Sequence, residues 1–426
     1  MAKVFEKIKL LFKIKDLRKK IIFVFAILVV FRIAANIPVP GIDIEKLKSF
    51  FEGNQLFGLI NIFTGGAMSN LSIIMLGLGP YITSTIILQL LTMIFPKLKE
   101  IYHESGPEGR RKFNQYGRIL TIPLASLQAY GMLTLLKSQQ VIPHIAPFSL
   151  LTAIVVITGG AIFLMWLGEL ISEKGIGNGI SLLIFAGIIA RFPMSARQTL
   201  VTFDAAQIPS YLAFIVVALL VIVGVVIISE GQRNIPIAYA KRIRGRRVYG
   251  GVSTHLPLRV NQAGVIPIIF ALSIMLFPGM IANFFSQVDN PFIAGLAQSF
   301  GNLFENQLFY AVMYFVLVVL FTYFYTSVTF DPNAIANNIQ KQGGFVPGIR
   351  PGPNTANFFH KILNRITLVG ALFLGFIAIM PLMVRGATGV TAMTIGGTAI
   401  LIVVSVVLET MKQVESQLVM RDYEGF

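Results

Sequence analysis

Apolar runs of about the length of a bilayer recur from one end of this chain to the other. They constrain the fold more than any other feature, because a run of roughly 20 apolar residues is matched to hydrocarbon thickness and not to a soluble core. The runs lie near 21–36, 74–95, 118–136, 151–171, 179–192, 210–229, 264–284, 308–327, 366–383 and 392–411. Only 13% of the 426 residues are charged, against about 25% in a soluble protein. The expected fold is therefore all-α and polytopic, one membrane domain of ten spans. The first apolar run follows a basic tail without a small-residue cleavage site, so it reads as a retained span and not as a signal peptide.

The net charge of +16 is unevenly placed. Ten spans alternate the connections between two sides, and the side with both termini collects 28 of the 35 Lys and Arg. By the positive-inside rule that side is cytoplasmic. Ten spans divide into two blocks of five, and an odd number per block starts the second block on the opposite side, as in an inverted repeat. The resulting divisions are a basic segment 1–20, a first half 21–192, an outer hinge loop 193–209, a second half 210–411 with cytoplasmic loops 230–263 and 328–365, and a tail 412–426.

Several spans are broken. Gly77, Gly79 and Pro80 interrupt the second, Pro123, Pro267 and Pro381 lie inside others, and the run after Gly179 is short before Arg191 and Pro193. Irregular backbone at membrane depth needs protein or water to satisfy it, so an aqueous interior is expected. The segment 57–82, "FGLINIFTGGAMSNLSIIMLGLGPYI", is too apolar for a solvated loop and too often interrupted for a plain span.

Two long loops favour a binding role. In 230–260, β-branched and aromatic residues flank a basic tip at Arg244, Gly245, Arg246 and Arg247, a hairpin pattern. In 330–354, Gly and Pro surround a single Arg350. No phosphate-binding loop and no H-E-x-x-H occurs, the four His are scattered, and Cys is absent. Neither an enzyme nor a metal or cofactor site is expected. The spans hold few ionisable residues, chiefly Arg32, Glu169 and Glu409 near their ends. That argues against the alternative, an ion-coupled secondary transporter for a small solute, which would bury a coupling site.

Five stretches resemble the SecY family, whose members form the channel of the bacterial protein translocase. They are "SIIMLGLGPYITSTIILQLL" (72–91), "FLMWLGELISEKGIGNGISLLIFAGI" (163–188), "STHLPLRVNQAGVIPIIFA" (253–271), "GGFVPGIRPG" (343–352) and "GGTAILIVVSVVLE" (396–409). The resemblance runs in order along essentially the whole chain. It implies two pseudo-symmetric halves around an hourglass pore in the inner membrane, through which unfolded secretory chains pass, with apolar segments released sideways into lipid. It implies a plug, a short re-entrant helix at about 58–71 with Phe63, Thr64, Gly65 and Gly66. Matched position by position, it implies a pore ring of Leu78, Ile82, Ile180, Ile184, Ile269 and Ile402. Leu78 departs from the family's usual isoleucine there.

The family's second and seventh spans form a lateral gate. Here Thr85 and Gln89, with Asn261 and Gln262, supply polar groups near that seam, where interhelical bonds of about 1 kcal/mol would hold it shut. Lacking a nucleotide site, the chain is expected to borrow its driving force from the SecA ATPase or a translating ribosome, docked through Arg246, Arg247 and Arg350. The small subunits SecE and SecG, nascent polypeptides, SecDF and YidC complete the implied partners.

Overall fold

The computed structural model describes residues 14–39, 64–68, 70–103, 106–138, 146–201, 208–239, 242–244, 247–249, 253–285, 290–388 and 397–424. Helices dominate. They are α1 (Lys15–Ala34), α2 (Gly79–Ile94), α3 (Pro96–His103), α4 (Gly106–Ser138), α5 (Pro147–Lys174), α6 (Gly179–Val201) and α7 (Ile208–Glu230). After four strands follow α8 (Ile266–Phe285), α9 (Pro291–Glu305), α10 (Gln307–Thr329), α11 (Pro332–Lys341), α12 (Pro353–Thr388) and α13 (Gly397–Glu424).

Each of the ten expected spans overlaps a helix. By length and apolarity alone, α4, α5, α7, α10 and α12 qualify as membrane-crossing among the described residues, and α2 with α3 makes a sixth if that bent pair is one span. The apolar parts of α6 and α8 are shorter. The bend between α2 and α3 is 117°. Its cause is Pro96, which pushes Phe95 out of helical geometry to φ −106°, ψ 109°.

Several boundaries differ from the sequence expectation. Helix α6 runs through Pro193 to Val201, so part of the segment read as an outer hinge loop is helical. Helix α13 continues to Glu424, through most of the supposed tail. Helix α9 was not anticipated at all. Asn290 caps it by accepting from the Phe292 N–H, with Pro291 in the first turn, a start signal legible in the sequence.

The largest apolar cluster gathers side chains of α1, α2, α5, α6, α8, α10, α12 and α13. A second lies between α4, α5 and the segment before α2, with Met68, Leu71 and Met75 almost fully buried. The face of α7, by contrast, is exposed at Leu212, Ile215, Val216, Leu219 and Leu220. A helix that is apolar all round and bare on one side belongs in lipid.

The third cluster lies among the loops. Strand β1 (Gln232–Tyr239) pairs antiparallel with β4 (Thr254–Arg259), and β2 (Arg242–Arg244) with β3 (Arg247–Tyr249), Arg244 opposite Arg247. These pairings form the expected hairpin. Strand β1 also pairs with β5 (Gly344–Phe345) of the other long loop, giving the order β4-β1-β5. Ile235, Ile237, Leu258, Ile339, Val346, Phe359 and Ile362 pack beneath this sheet.

Candidate functional site

The segment before α2 does not form the expected short helix over its described part. Residues 64–68 and 70–78 run in successive turns. Gly65 and Gly66 take φ of 67° and 87°, and Leu71 and Gly77 are also left-handed at 39° and 59°. A helix cannot pass through such a series. Phe63 and the rest of the expected plug, back to Gly58, lie outside the described residues.

Thr64, Ala67, Met68, Leu71 and Ile74 are buried, so the backbone polar groups of these turns need partners inside the protein. Val39 N–H donates to the Leu71 carbonyl at 2.8 Å, Ile73 N–H to that of Ile37 at 2.9 Å, and Ser72 N–H to that of Ala67 at 2.9 Å. From α1, Arg32 Nη1 donates to the Gly65 carbonyl at 2.8 Å. Arg32 is thus tied to this segment and does not simply reach for the membrane surface. A Cβ on Gly65 would meet Gly187 Cα of α6 at 2.8 Å, and one on Gly160 of α5 would meet the Ile73 carbonyl oxygen at 1.9 Å. Both glycines are required for close backbone approach.

Beyond these turns, the structure brings all six expected ring residues into the central cluster. Leu78, Ile82, Ile184 and Ile402 are buried in it, and Ile180 and Ile269 pack against it half-buried. They arrive from the N-cap and first turn of α2, from α6, α8 and α13, which is to say from both halves of the chain. Their side chains offer no hydrogen-bonding group, so these six positions are apolar.

Helix α2 has two unlike flanks. Toward α4 it is bonded through Ser84, whose Oγ donates to the Gly117 carbonyl at 2.9 Å and lies 2.9 Å from Thr121 Oγ1. Toward α8, which packs on both α2 and α4, no hydrogen bond joins the helices among the described residues. The four polar residues expected to bridge that seam do not do so. Thr85 Oγ1 donates to its own helix at the Ile82 carbonyl, 2.7 Å away, and Asn261 Nδ2 donates to the Gly264 carbonyl at 3.2 Å. Gln89 Oε1 and Asn261 Oδ1 are buried without partners, and Gln262 is half-buried.

On the sheet side, Arg350 is exposed, and its backbone is fixed by Thr355 Oγ1 donating to its carbonyl at 3.0 Å. Arg247 opens β3, and Arg246 lies outside the described residues. Sequence reasoning did not find that β1 and β5 join the two loops. A two-residue strand rich in glycine gives almost no local signal.

A protein-family model described as SecY matches residues 72–411. The protein translocase subunit SecY of Mycobacterium leprae is 44% identical over 96% of this chain and 97% of its own length. That of Thermotoga maritima is 45% identical over 97% and 96% respectively. The fold is similar to a solved structure of a protein conducting channel, with a TM-score of 0.64 at 21% identity, covering 93% of this chain and 91% of that one. It is also similar, with a TM-score of 0.63 at 20% identity and the same coverage of 93% and 91%, to the structure of a SecY whose plug domain stabilizes the closed state of its translocation channel. Nothing in these likenesses supports a small-solute transporter. On a family match across most of its length and relatives alike almost end to end, the chain belongs to the SecY family of protein translocase subunits.

Proposed function

We propose that this chain is the central subunit of a protein-conducting channel with ten spans in two inverted halves, both termini cytoplasmic. It passes unfolded polypeptides across the membrane and releases apolar segments sideways between α2 and α8. The observation that carries this reading is the single apolar cluster in which residues of α2, α6, α8 and α13 meet.

An extended chain exposes unpaired N–H and C=O groups, each costing several kcal/mol in hydrocarbon. A long apolar tunnel would stop it. Water-filled funnels meeting at one thin apolar layer of Leu78, Ile82, Ile180, Ile184, Ile269 and Ile402 keep the unsolvated stretch to a few residues. The same layer blocks ions by dewetting when empty. Flexible aliphatic side chains refit around passing segments of different bulk, which gives a gasket without sequence preference. The turns at 64–68 and 70–78 close the layer from one side, with Arg32 holding Gly65, and form the inner end of a plug.

The α2–α8 seam is the part that opens. Among the described residues no hydrogen bond crosses it, so parting it there costs no cross-helix hydrogen bond. The acceptor atoms Gln89 Oε1 and Asn261 Oδ1 lack hydrogen-bond partners in this arrangement, and they gain partners from water or a passing backbone when the seam opens.

Driving force comes from outside the chain. The sheet β4-β1-β5 with exposed Arg350 and the β2–β3 tip, including Arg246 and Arg247, forms the docking platform for SecA or a ribosome. Guanidinium groups there suit acidic protein surfaces or RNA phosphates, whose pairing needs no sequence reading. SecE and SecG are the expected small subunits.

The test exploits the absence of cysteine from the chain. Single cysteines at Ile82, Ile184 and Ile402 should cross-link to a stalled secretory polypeptide. Leu219 and Leu320, exposed on α7 and α10, serve as lipid-facing controls. Equal reaction at the controls would remove the pore assignment.

A further inference from the structure

Helix α9 has faces of different character. Phe292, Leu296, Phe300 and Leu303, which are 73, 58, 47 and 49% exposed, fall within an arc of about 80° at 100° per residue. One flank of the stripe is packed. Ala297 is buried, a Cβ on Gly301 would touch Ala282 Cβ of α8 at 3.6 Å, and the Phe304 ring meets Phe309 of α10 edge-on at 5.4 Å. Gly295 lies to the other side of the exposed stripe, in open space.

The stripe is close in the chain to a second one. Five residues after Leu303 begins the exposed i,i+4 row Leu308, Val312, Val316 and Leu320 of α10, and α10 is a helix long and apolar enough to cross a membrane. The lipid that solvates that row is therefore within reach of the stripe. No Lys or Arg occurs from Val260 to Gln340, so attraction to acidic headgroups is not the basis of contact.

We propose that α9 lies in the plane of the bilayer interface, its Phe292–Leu303 stripe inserted at the headgroup–acyl boundary, and acts as a float attached to α8. Its small-residue contact with Ala282 lets it travel with α8. On the gate reading given above, on which this second part rests, α9 restricts α8 to sideways movement when the seam parts and resists its sinking or tilting.

The test uses the full translocase in vesicles of phosphatidylcholine and phosphatidylglycerol. An environment-sensitive dye is placed on Leu296→Cys or Gly295→Cys, each the sole cysteine. The expected result at Leu296 is blue-shifted emission, lost more to a shallow spin-labelled lipid than to a deep one, little affected by aqueous iodide and unchanged by salt. Gly295 should be the more sensitive to iodide. Iodide quenching at Leu296 equal to that at Gly295 would overturn the proposal, as would protection from both quenchers, which means a protein covers the stripe. Stronger loss to the deep label would also overturn it, because the helix would then not be interfacial.

For the coupling to α8, Leu296→Glu with Phe300→Glu should lower lateral release of a marginally apolar segment about tenfold, with export of soluble chains kept. Unchanged release would end that part. Failure of the pore cross-links would leave the quenching result standing, so the two readings fail separately.

Discussion

Between α2 and α8 the described residues make no hydrogen bond, whereas β1 is laddered on both edges, to β4 over six residue pairs and to β5 over two. The seam and the sheet are therefore opposite kinds of joint. Side-chain contact between helices is non-directional, so two helices can separate and find new apolar partners, lipid included. A strand cannot leave its ladder without stranding N–H and C=O groups, and a one-residue slip would turn Ile235 and Ile237 out of their core. The moving part is built from the first kind of joint, and the platform that must receive a pushing partner from the second.

The sharpest way to break this contrast lies in the turns before α2. If the turns before α2 were as loose as the seam, Gly160 would tolerate a side chain. Its Cβ position is 1.9 Å from the Ile73 carbonyl oxygen, backbone against backbone. Gly160→Val should cost about 4 kcal/mol or more, seen as loss of folded protein in thermal unfolding and rapid degradation in the cell. A folded, active Gly160→Val protein would mean that this segment yields as readily as the gate.

Next in size is the seal itself. Ile402 is fully buried in the central cluster. Ile402→Asn removes packing and buries an amide, a cost of roughly 2–4 kcal/mol falling on the closed arrangement and not on an open, wet one. Reconstituted channels should leak ions, and cells should pass poorly targeted substrates. An unchanged leak together with unchanged export specificity would count against a seal at this position.

Arg350→Glu probes the other joint. The side chain is exposed, so stability should hold within about 0.5 kcal/mol, while SecA-driven export should fall about tenfold, a coupling loss near 1.4 kcal/mol. The ion leak should stay as it was, which separates this variant from Ile402→Asn. Normal export would remove the contact assigned to Arg350.

What the sequence disclosed follows the same division. Apolar runs set the helices, because hydrocarbon thickness acts on every residue of a run. The tip around Arg244–Arg247 disclosed its hairpin, because turn chemistry is local. The β1–β5 pairing depends on two loops a hundred residues apart in the chain, and no local pattern encodes it. The described turns at 64–68 and 70–78 fall partly in the short helix expected at 58–71 and partly in the span expected from 74, because their small and apolar residues suit helix or turn. What decides is contact with Gly187, Gly160 and Arg32, all distant in sequence. Helix α9 could have been found from Asn290-Pro291 and the spacing of Phe292, Leu296, Phe300 and Leu303, but a scan for full spans passes over a helix of 15 residues.

The smallest effect concerns how the two regions are joined. Lys412 Nζ lies 2.7 Å from Glu230 Oε1, linking α13 to the end of α7, two residues before β1 begins. The pair is placed to couple the membrane helices to the sheet, yet both side chains are 40% exposed, and such pairs contribute at most about 1 kcal/mol and are screened by salt. Helix α7 packs along α13 in any case, and that contact survives loss of the charges. Lys412→Glu should therefore lower export less than Arg350→Glu does. Adding Glu230→Lys should restore it, and the defect should fade as salt is raised. A large defect that neither the double reversal nor salt relieves would mean that the platform depends on this one contact, and the sheet would then not be a joint in its own right.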